Sequence, residues 1–166
     1  MKTVLLIRHA KSSWEDLYLA DFDRPLNDRG KADAPAMAKR LLDKKIQIDS
    51  FISSPAKRAK KTAEIFAEYF DTKKSEIILV PSLYEAGETN FYDAIANAPK
   101  KSDSIAVFSH NPGITDFANK LTATRIDNMP TCSVFAVHVN IKDWSAFKEA
   151  TKDFYFFDFP KSIHAD

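Results

Sequence analysis

Short apolar runs alternate along the chain with longer segments whose apolar residues recur every three or four positions. The runs are typical of buried strands and predict six of them, at residues 4–7, 49–53, 77–80, 104–108, 134–139 and 154–157. The longer segments predict helices over 30–43, from Ser54-Pro55 with Ser54 as N-cap, over about 90–97, and over 112–121. This alternation predicts a three-layer α/β/α fold around a mostly parallel sheet.

Length and composition narrow the class of protein. The 166 residues suit one domain, so we expect a single domain over 1–166. The 24 basic and 23 acidic residues leave a net charge of +1, which argues against nucleic acid or an anionic membrane as a partner. The apolar run at residues 3–7 is too short for a signal peptide or a membrane span. The lone Cys132 cannot form an internal disulfide, and we expect a cytoplasmic protein.

Residues suited to phosphate chemistry follow three of the predicted strands. Arg8 and His9 end the first strand, Arg58 lies in the first turn of the helix after the second, and His110 ends the strand at 104–108. The carboxyl ends of parallel strands meet at one edge of a sheet, which is where sites lie in such folds. One guanidinium group can bind two phosphate oxygens at once, and a neutral imidazole can act as a nucleophile. The sequence therefore predicts a phosphate site at this edge.

Three segments, in the appropriate order, resemble the motifs of a known family. Leu6–Ala10 resembles the "RHG" signature of the histidine phosphatase superfamily, the phosphoglycerate-mutase-like group. Ser53–Ala63 is similar to its second motif, and Ser109–Asn111 to its third. Arg8–Trp14 and Asp23–Gly30 look like the short SixA-type branch, whose prototype removes phosphate from phosphohistidine on signalling proteins. The resemblance implies a phosphoglycerate-mutase-like fold and a phosphatase activity.

The residues and the resemblance together assign roles to the predicted site. His9 is expected to take the phosphoryl group as a phosphohistidine intermediate and pass it to water. Arg8, Arg58 and His110 are expected to bind the phosphoryl oxygens, His110 with a proton. We expect no metal and no other cofactor, because paired Arg side chains would repel a dication and no Cys/His ligand spacing occurs.

The leaving group of a phosphate ester needs a proton, and two acids follow the third predicted strand. Glu85 is the better candidate for the general acid, and Glu88 is the alternative. A phosphohistidine substrate needs less help, because an imidazole leaves more readily than an alkoxide.

Departures from the family pattern bear on the substrate. Ala10 replaces the usual Gly, Lys11 replaces a Glu, and Glu15 stands where an Asn is common, which argues against a mutase. About fifty residues separate Arg58 from His110, which leaves little room for a lid. An open site favours a phosphorylated protein as substrate, and a small phosphate monoester is the alternative. A catalytically dead phosphate-binding module would not explain why all four core residues are present.

Overall fold

The computed structural model describes residues 1–160, which fold around a six-stranded mixed sheet. The strands are β1 (Lys2–Arg8), β2 (Ser50–Ser53), β3 (Ile78–Leu79), β4 (Ser104–Ser109), β5 (Val134–Val139) and β6 (Lys152–Asp158). Their order is β3-β2-β4-β1-β5-β6, with β1 to β4 parallel to one another and β5 antiparallel to both of its neighbours, β1 and β6. The predicted mostly parallel sheet is confirmed, although the third strand is shorter than expected. Positions 161–166 of the predicted single domain lie outside the described residues.

Helices cover both faces of this sheet. They are α1 (Asp28–Asp43), α2 (Lys57–Tyr69), α3 (Glu88–Ala96) and α4 (Gly113–Leu121). Successive strand residues point to opposite faces, so Leu5 packs with α1 and α2 while Leu6 packs with α3 and α4. The two resulting apolar cores give the predicted three layers. No helix within residues 1–160 combines the length and apolar character needed to cross a membrane.

Helix α2 begins two residues later than the sequence pattern predicted. The N-cap is Ala56, not Ser54, and Ala56 makes no side-chain cap. The Ser54 hydroxyl instead lies 2.8 Å from Nε2 of His110 and accepts the Ala56 N–H at 3.2 Å. The prediction was wrong because a contact with the end of β4 engages this hydroxyl. Arg58 remains in the first turn of the helix.

The start of α1 anchors the chain that follows β1. Asn27 caps the helix by accepting the Gly30 N–H at 2.9 Å, and its own N–H donates to the Lys11 carbonyl at 3.0 Å. A Cβ atom at Gly30 would overlap that carbonyl, so only glycine allows the helix to approach so closely. The backbone two residues beyond His9 is thereby fixed to α1.

The end of β1 is held by a turn at Cys132. This residue adopts the left-handed region with φ 62°, and its N–H donates to the carbonyl oxygens of Arg8 and His9, each at 3.0 Å. The His9 N–H donates to the Ser109 carbonyl at 3.1 Å. Cys132 is itself fully buried. The backbone that carries Arg8 and His9 is therefore hydrogen-bonded on both sides.

Candidate active site

The parallel strands bring four predicted side chains together at the carboxyl edge of the sheet. Arg58 Nε lies 3.4 Å from His9 Nε2, and the ring centroids of His9 and His110 are 5.1 Å apart. These three residues are buried, and Arg8 is partly buried. The structure thus assembles the cluster that the sequence predicted.

His9 has a defined tautomer. Its Nδ1 lies 2.7 Å from the Ala10 carbonyl oxygen, which can only accept, so Nδ1 carries the hydrogen and Nε2 keeps its lone pair. Burial lowers the pKa of His9 to about 3, and the charges of His110, Arg58 and Arg8 add to that effect, while the Ala10 bond opposes it. At neutral pH the His9 ring is therefore neutral, and its Nε2 lone pair accepts a hydrogen bond from Arg58 Nε at 3.4 Å.

His110 is also neutral at pH 7. Burial lowers its pKa to about 4, and the charge of Arg58 contributes. The predicted proton on His110 concerns the ring while it binds a phosphoryl oxygen, and it stays a prediction. Its Nε2 lies 2.8 Å from the Ser54 hydroxyl, while Nδ1 is buried without a hydrogen-bond partner among residues 1–160.

Arg8 contributes the second guanidinium group. Its Nη1 donates to the Met129 carbonyl at 2.9 Å, and its Nε is buried with no hydrogen-bond partner in the described part of the chain. Burial lowers the pKa of Arg8, and the Arg58 charge adds to this. Guanidinium groups stay charged in proteins all the same, so Arg8 keeps hydrogen-bonding capacity and positive charge for an anion.

Asp21 joins this cluster, and sequence reasoning missed it. It opens a single 3₁₀ turn, Asp21–Asp23, and its carboxylate accepts from Tyr84 Oη at 2.6 Å, Arg58 Nη2 at 3.0 Å and Arg24 Nη1 at 3.0 Å. The Asp21 carbonyl accepts from Arg58 Nη1 at 2.6 Å. The Tyr84 hydrogen bond, followed by those from Arg58 and Arg24, holds the pKa of Asp21 far below its usual range. Asp21 is consequently a fixed anion beside Arg58.

The segment that carries Asp21, residues 12–24, is held through Arg24 and exposes three large apolar side chains. The Arg24 guanidinium lies 3.2 Å from the Trp14 ring centroid and donates from Nε to the Ser13 carbonyl at 3.0 Å. Trp14, Leu17 and Tyr18 are 66%, 83% and 100% exposed. This segment therefore presents large apolar side chains to solvent, which we call the apolar rim, and Asp21 connects the segment to Arg58.

A cleft of about 690 Å³ opens beside the cluster. Six side chains of its lining matter to the chemistry: Asp21, Arg58, Tyr84, Glu85, Glu88 and His110. Glu85 is exposed on the wall of this cleft, and Glu88 forms an ion pair with Lys120 at 3.1 Å. Both predicted acid candidates thus border the same cleft as Arg58 and His110, and the ion pair engages only Glu88.

Comparison with known proteins supports the fold. The chain is 28% identical to an uncharacterized chloroplastic protein of Arabidopsis thaliana over 151 residues, which cover 86% of this chain and 69% of that protein. The structure of SixA from Agrobacterium tumefaciens superposes with a TM-score of 0.79 at 24% identity, covering 96% of this chain and 98% of that one. A protein histidine phosphatase SixA bound to tungstate gives 0.78 at 23% identity, covering 97% and 99%. These likenesses confirm the predicted phosphoglycerate-mutase-like fold.

A sequence profile settles the family. The profile described as the histidine phosphatase superfamily (branch 1) matches residues 4–91, which span β1 to the first turn of α3 and include Arg8, His9 and Arg58. The match covers more than half of the chain. This protein therefore belongs to branch 1 of the histidine phosphatase superfamily.

Proposed function

We propose that the protein is a metal-independent phosphatase that accepts a phosphoryl group on His9 Nε2 and passes it to water, and that its substrate is phosphohistidine on a protein. The observation that carries this proposal is the bond from His9 Nδ1–H to the Ala10 carbonyl at 2.7 Å. That bond directs the lone pair of Nε2 into the site, where Arg58 Nε lies 3.4 Å away. A neutral, oriented imidazole beside a fixed cation is the arrangement that nucleophilic attack on a phosphoryl group requires.

In the first step the His9 Nε2 lone pair attacks phosphorus, and the bond from phosphorus to the leaving group breaks with its electrons going to the leaving group. Negative charge spreads over the three equatorial oxygens, and the guanidinium groups of Arg8 and Arg58 stabilise it. In the second step water attacks phosphorus and the bond to Nε2 breaks with its electrons returning to Nε2. Both water protons leave with the product phosphate, so His9 returns to its neutral form. The two guanidinium groups supply the positive charge that a metal ion provides in other phosphatases.

His110 is proposed to bind one phosphoryl oxygen. Its ring lies 5.1 Å from the His9 ring, and its buried Nδ1 lacks a protein partner within residues 1–160. An approaching phosphoryl dianion opposes the effects that lower its pKa, so we expect His110 to take up a proton as the substrate binds. A protonated ring would then donate to the phosphoryl oxygen.

Glu85 is proposed to protonate the leaving group when the substrate is an ester. It lines the cleft together with Arg58 and His110, whereas Glu88 is engaged by Lys120. An imidazole leaving group depends less on such an acid, and so the contribution of Glu85 should depend on the substrate.

A protein substrate is supported by the rim of the site. Trp14, Leu17 and Tyr18 expose large apolar side chains on the segment that Asp21 connects to Arg58, and exposed apolar surface is typical of protein contacts. The phosphorylated protein would rest on these side chains while its phosphoryl group enters the site. The likeness to a structure named as a protein histidine phosphatase points to the same substrate class.

A phosphatase of a small phosphate monoester is the second candidate. The cleft of about 690 Å³ falls within the usual size range of small-molecule sites. Glu85 and the Glu88–Lys120 pair give this cleft polar groups that could bind a leaving group.

The proposal is tested by trapping the phosphoryl group on His9. Wild-type protein incubated with a labelled phosphohistidine protein should acquire label that is labile in acid and stable in base. His9→Ala should acquire none and should lose turnover, while His138→Ala, which removes a histidine bonded to Thr3 far from the cluster, should behave as wild type. Normal turnover by His9→Ala would refute the mechanism. Higher kcat/KM for a small ester than for the phosphohistidine protein would favour the second candidate.

A further inference from the structure

A carboxylate lies inside the proposed phosphate site and engages one of its two guanidinium groups. Resting on the proposed function, we propose that Asp21 is a positioning residue: an internal anion that holds Arg58 against His9 and weakens the binding of product phosphate. Release of phosphate would then be faster than the two guanidinium groups alone would allow. The argument rests on the contacts of Arg58, on the fixed position of Asp21, and on the difference between substrate and product.

All three nitrogens of Arg58 are already oriented in the structure. Nη1 donates to the Asp21 carbonyl at 2.6 Å, Nη2 donates to the Asp21 carboxylate at 3.0 Å, and Nε points to His9 Nε2 at 3.4 Å. A phosphoryl group between His9 and Arg58 must therefore share the guanidinium with a carboxylate. Asp21 thus orients the cation and at the same time neutralises part of its charge.

The Asp21 carboxylate is held in place by groups other than Arg58. Tyr84 Oη donates to it at 2.6 Å and Arg24 Nη1 at 3.0 Å. The Tyr84 ring packs edge-on against His110 at 5.5 Å and against Phe22 at 5.1 Å, which fixes the donor. Asp21 also has a pKa far below its usual range, so it is ionised throughout the neutral range. These contacts make Asp21 a permanent anion of the site, which stays ionised and in place when phosphate binds.

Repulsion by this anion weakens the binding of product and substrate by the same factor, but the two start from different affinities. A phosphoryl group still attached to its carrier gains additional binding energy from contacts outside the site, including the apolar rim. Free phosphate has only the contacts within the site, so it binds weakly once this repulsion is included, whereas the attached substrate keeps the affinity of its outer contacts. Product is therefore released quickly, while the substrate keeps enough affinity to bind.

The test measures the affinity for inorganic phosphate directly, without turnover. Asp21→Asn keeps the size of the side chain and an oxygen that can accept from Tyr84, and removes the charge. We expect the dissociation constant for phosphate, measured by titration calorimetry, to fall roughly tenfold, because a half-exposed charge about 5 Å away weakens binding by about that factor. Inhibition of turnover by added phosphate should strengthen by the same factor.

Two matched variants separate charge from structure. Asp21→Glu restores the charge and should return the phosphate affinity to near the wild-type value. Asp23→Asn removes an exposed charge from the same 3₁₀ turn and should change the affinity little. Should Asp21→Asn disturb the fold, as judged by thermal melting, Asp21→Ser provides the same comparison. A gain in affinity is a result that damage to the site would not produce.

Unchanged or weaker phosphate binding by Asp21→Asn would overturn the inference. An effect of Asp23→Asn as large as that of Asp21→Asn would overturn it also, because removal of any nearby negative charge would then explain the gain in phosphate affinity. Arg58→Ala serves as the reference for the proposed function. If phosphate binds equally well to wild type and Arg58→Ala, the proposed site itself is wrong, and this outcome is distinct from a failure of Asp21 alone.

Discussion

Acidification should destabilise the folded protein because two imidazoles are buried in their neutral form. The pKa of His9 is lowered to about 3 and that of His110 to about 4, whereas the histidines of an unfolded chain have pKa values of about 6.5. Between those values the unfolded state binds protons that the folded state does not bind. The free energy of unfolding therefore falls as the pH drops below about 6.5, and continues to fall until the folded-state values are reached.

The size of this effect follows from the linkage between protonation and folding. At pH 5 protonation stabilises each histidine of the unfolded state by about 2 kcal/mol, whereas it stabilises each folded ring hardly at all. Two such rings give a loss of about 4 kcal/mol between pH 7 and pH 5. Both side chains are more than nine-tenths buried, so screening by solvent reduces this value little. A loss of about 4 kcal/mol is a large part of the stability of an ordinary domain.

The assay is urea unfolding at pH 7 and pH 5, followed by circular dichroism. The double variant His9→Gln/His110→Gln cannot titrate at these positions, and it should lose about 4 kcal/mol less than wild type between the two pH values. Any constant destabilisation from the substitutions cancels, because only the change with pH is compared. His138→Gln controls for loss of an imidazole elsewhere. Equal pH sensitivity of wild type and the double variant would refute the reasoning.

Three further predictions concern the activity. Glu85→Gln should lower kcat/KM for an alkyl phosphate roughly a hundredfold and change it little for phosphohistidine, and equal effects on both substrates would exclude Glu85 as a general acid. Turnover should survive dialysis against a strong chelator, whereas loss that added zinc or magnesium restores would contradict metal independence. Leu17→Ser/Tyr18→Ser should raise KM for a phosphohistidine protein but not for free phosphohistidine, and an unchanged KM for both would remove the rim from substrate binding.

The cluster of His9, Arg58 and His110 could be predicted from sequence because strand periodicity locates it. Continuous apolar runs identify parallel strands, and the residues that end such strands must meet at one edge of the sheet. The observed strand limits differ from the predicted ones by a residue or two, and this difference does not separate the strand ends that carry the cluster. The same logic explains why the three layers were predicted correctly.

The contacts of Asp21, Tyr84 and Ser54 could not be predicted in this way. Asp21 and Tyr84 lie 63 positions apart in irregular segments, where no hydrophobic period specifies which side chains meet. The one signal was that Asp21 precedes the segment Asp23–Gly30, which resembles the SixA-type branch. Ser54 has the usual chemistry of an N-cap, and only the tertiary structure shows that its hydroxyl is engaged by His110. Long-range polar contacts of this kind depend on the assembled fold.

The turn at Cys132 gives the chain a built-in reporter of its own local opening. Cys132 is the only cysteine in the sequence, and its N–H bonds hold the backbone of Arg8 and His9. Burial raises the pKa of the thiol and shields the sulfur, so a thiol reagent reacts only when this segment separates from its neighbours. The rate of thiol modification in the folded protein thus measures how often the end of β1 comes apart, and a ligand that ties His9 to Arg58 should lengthen the interval between openings.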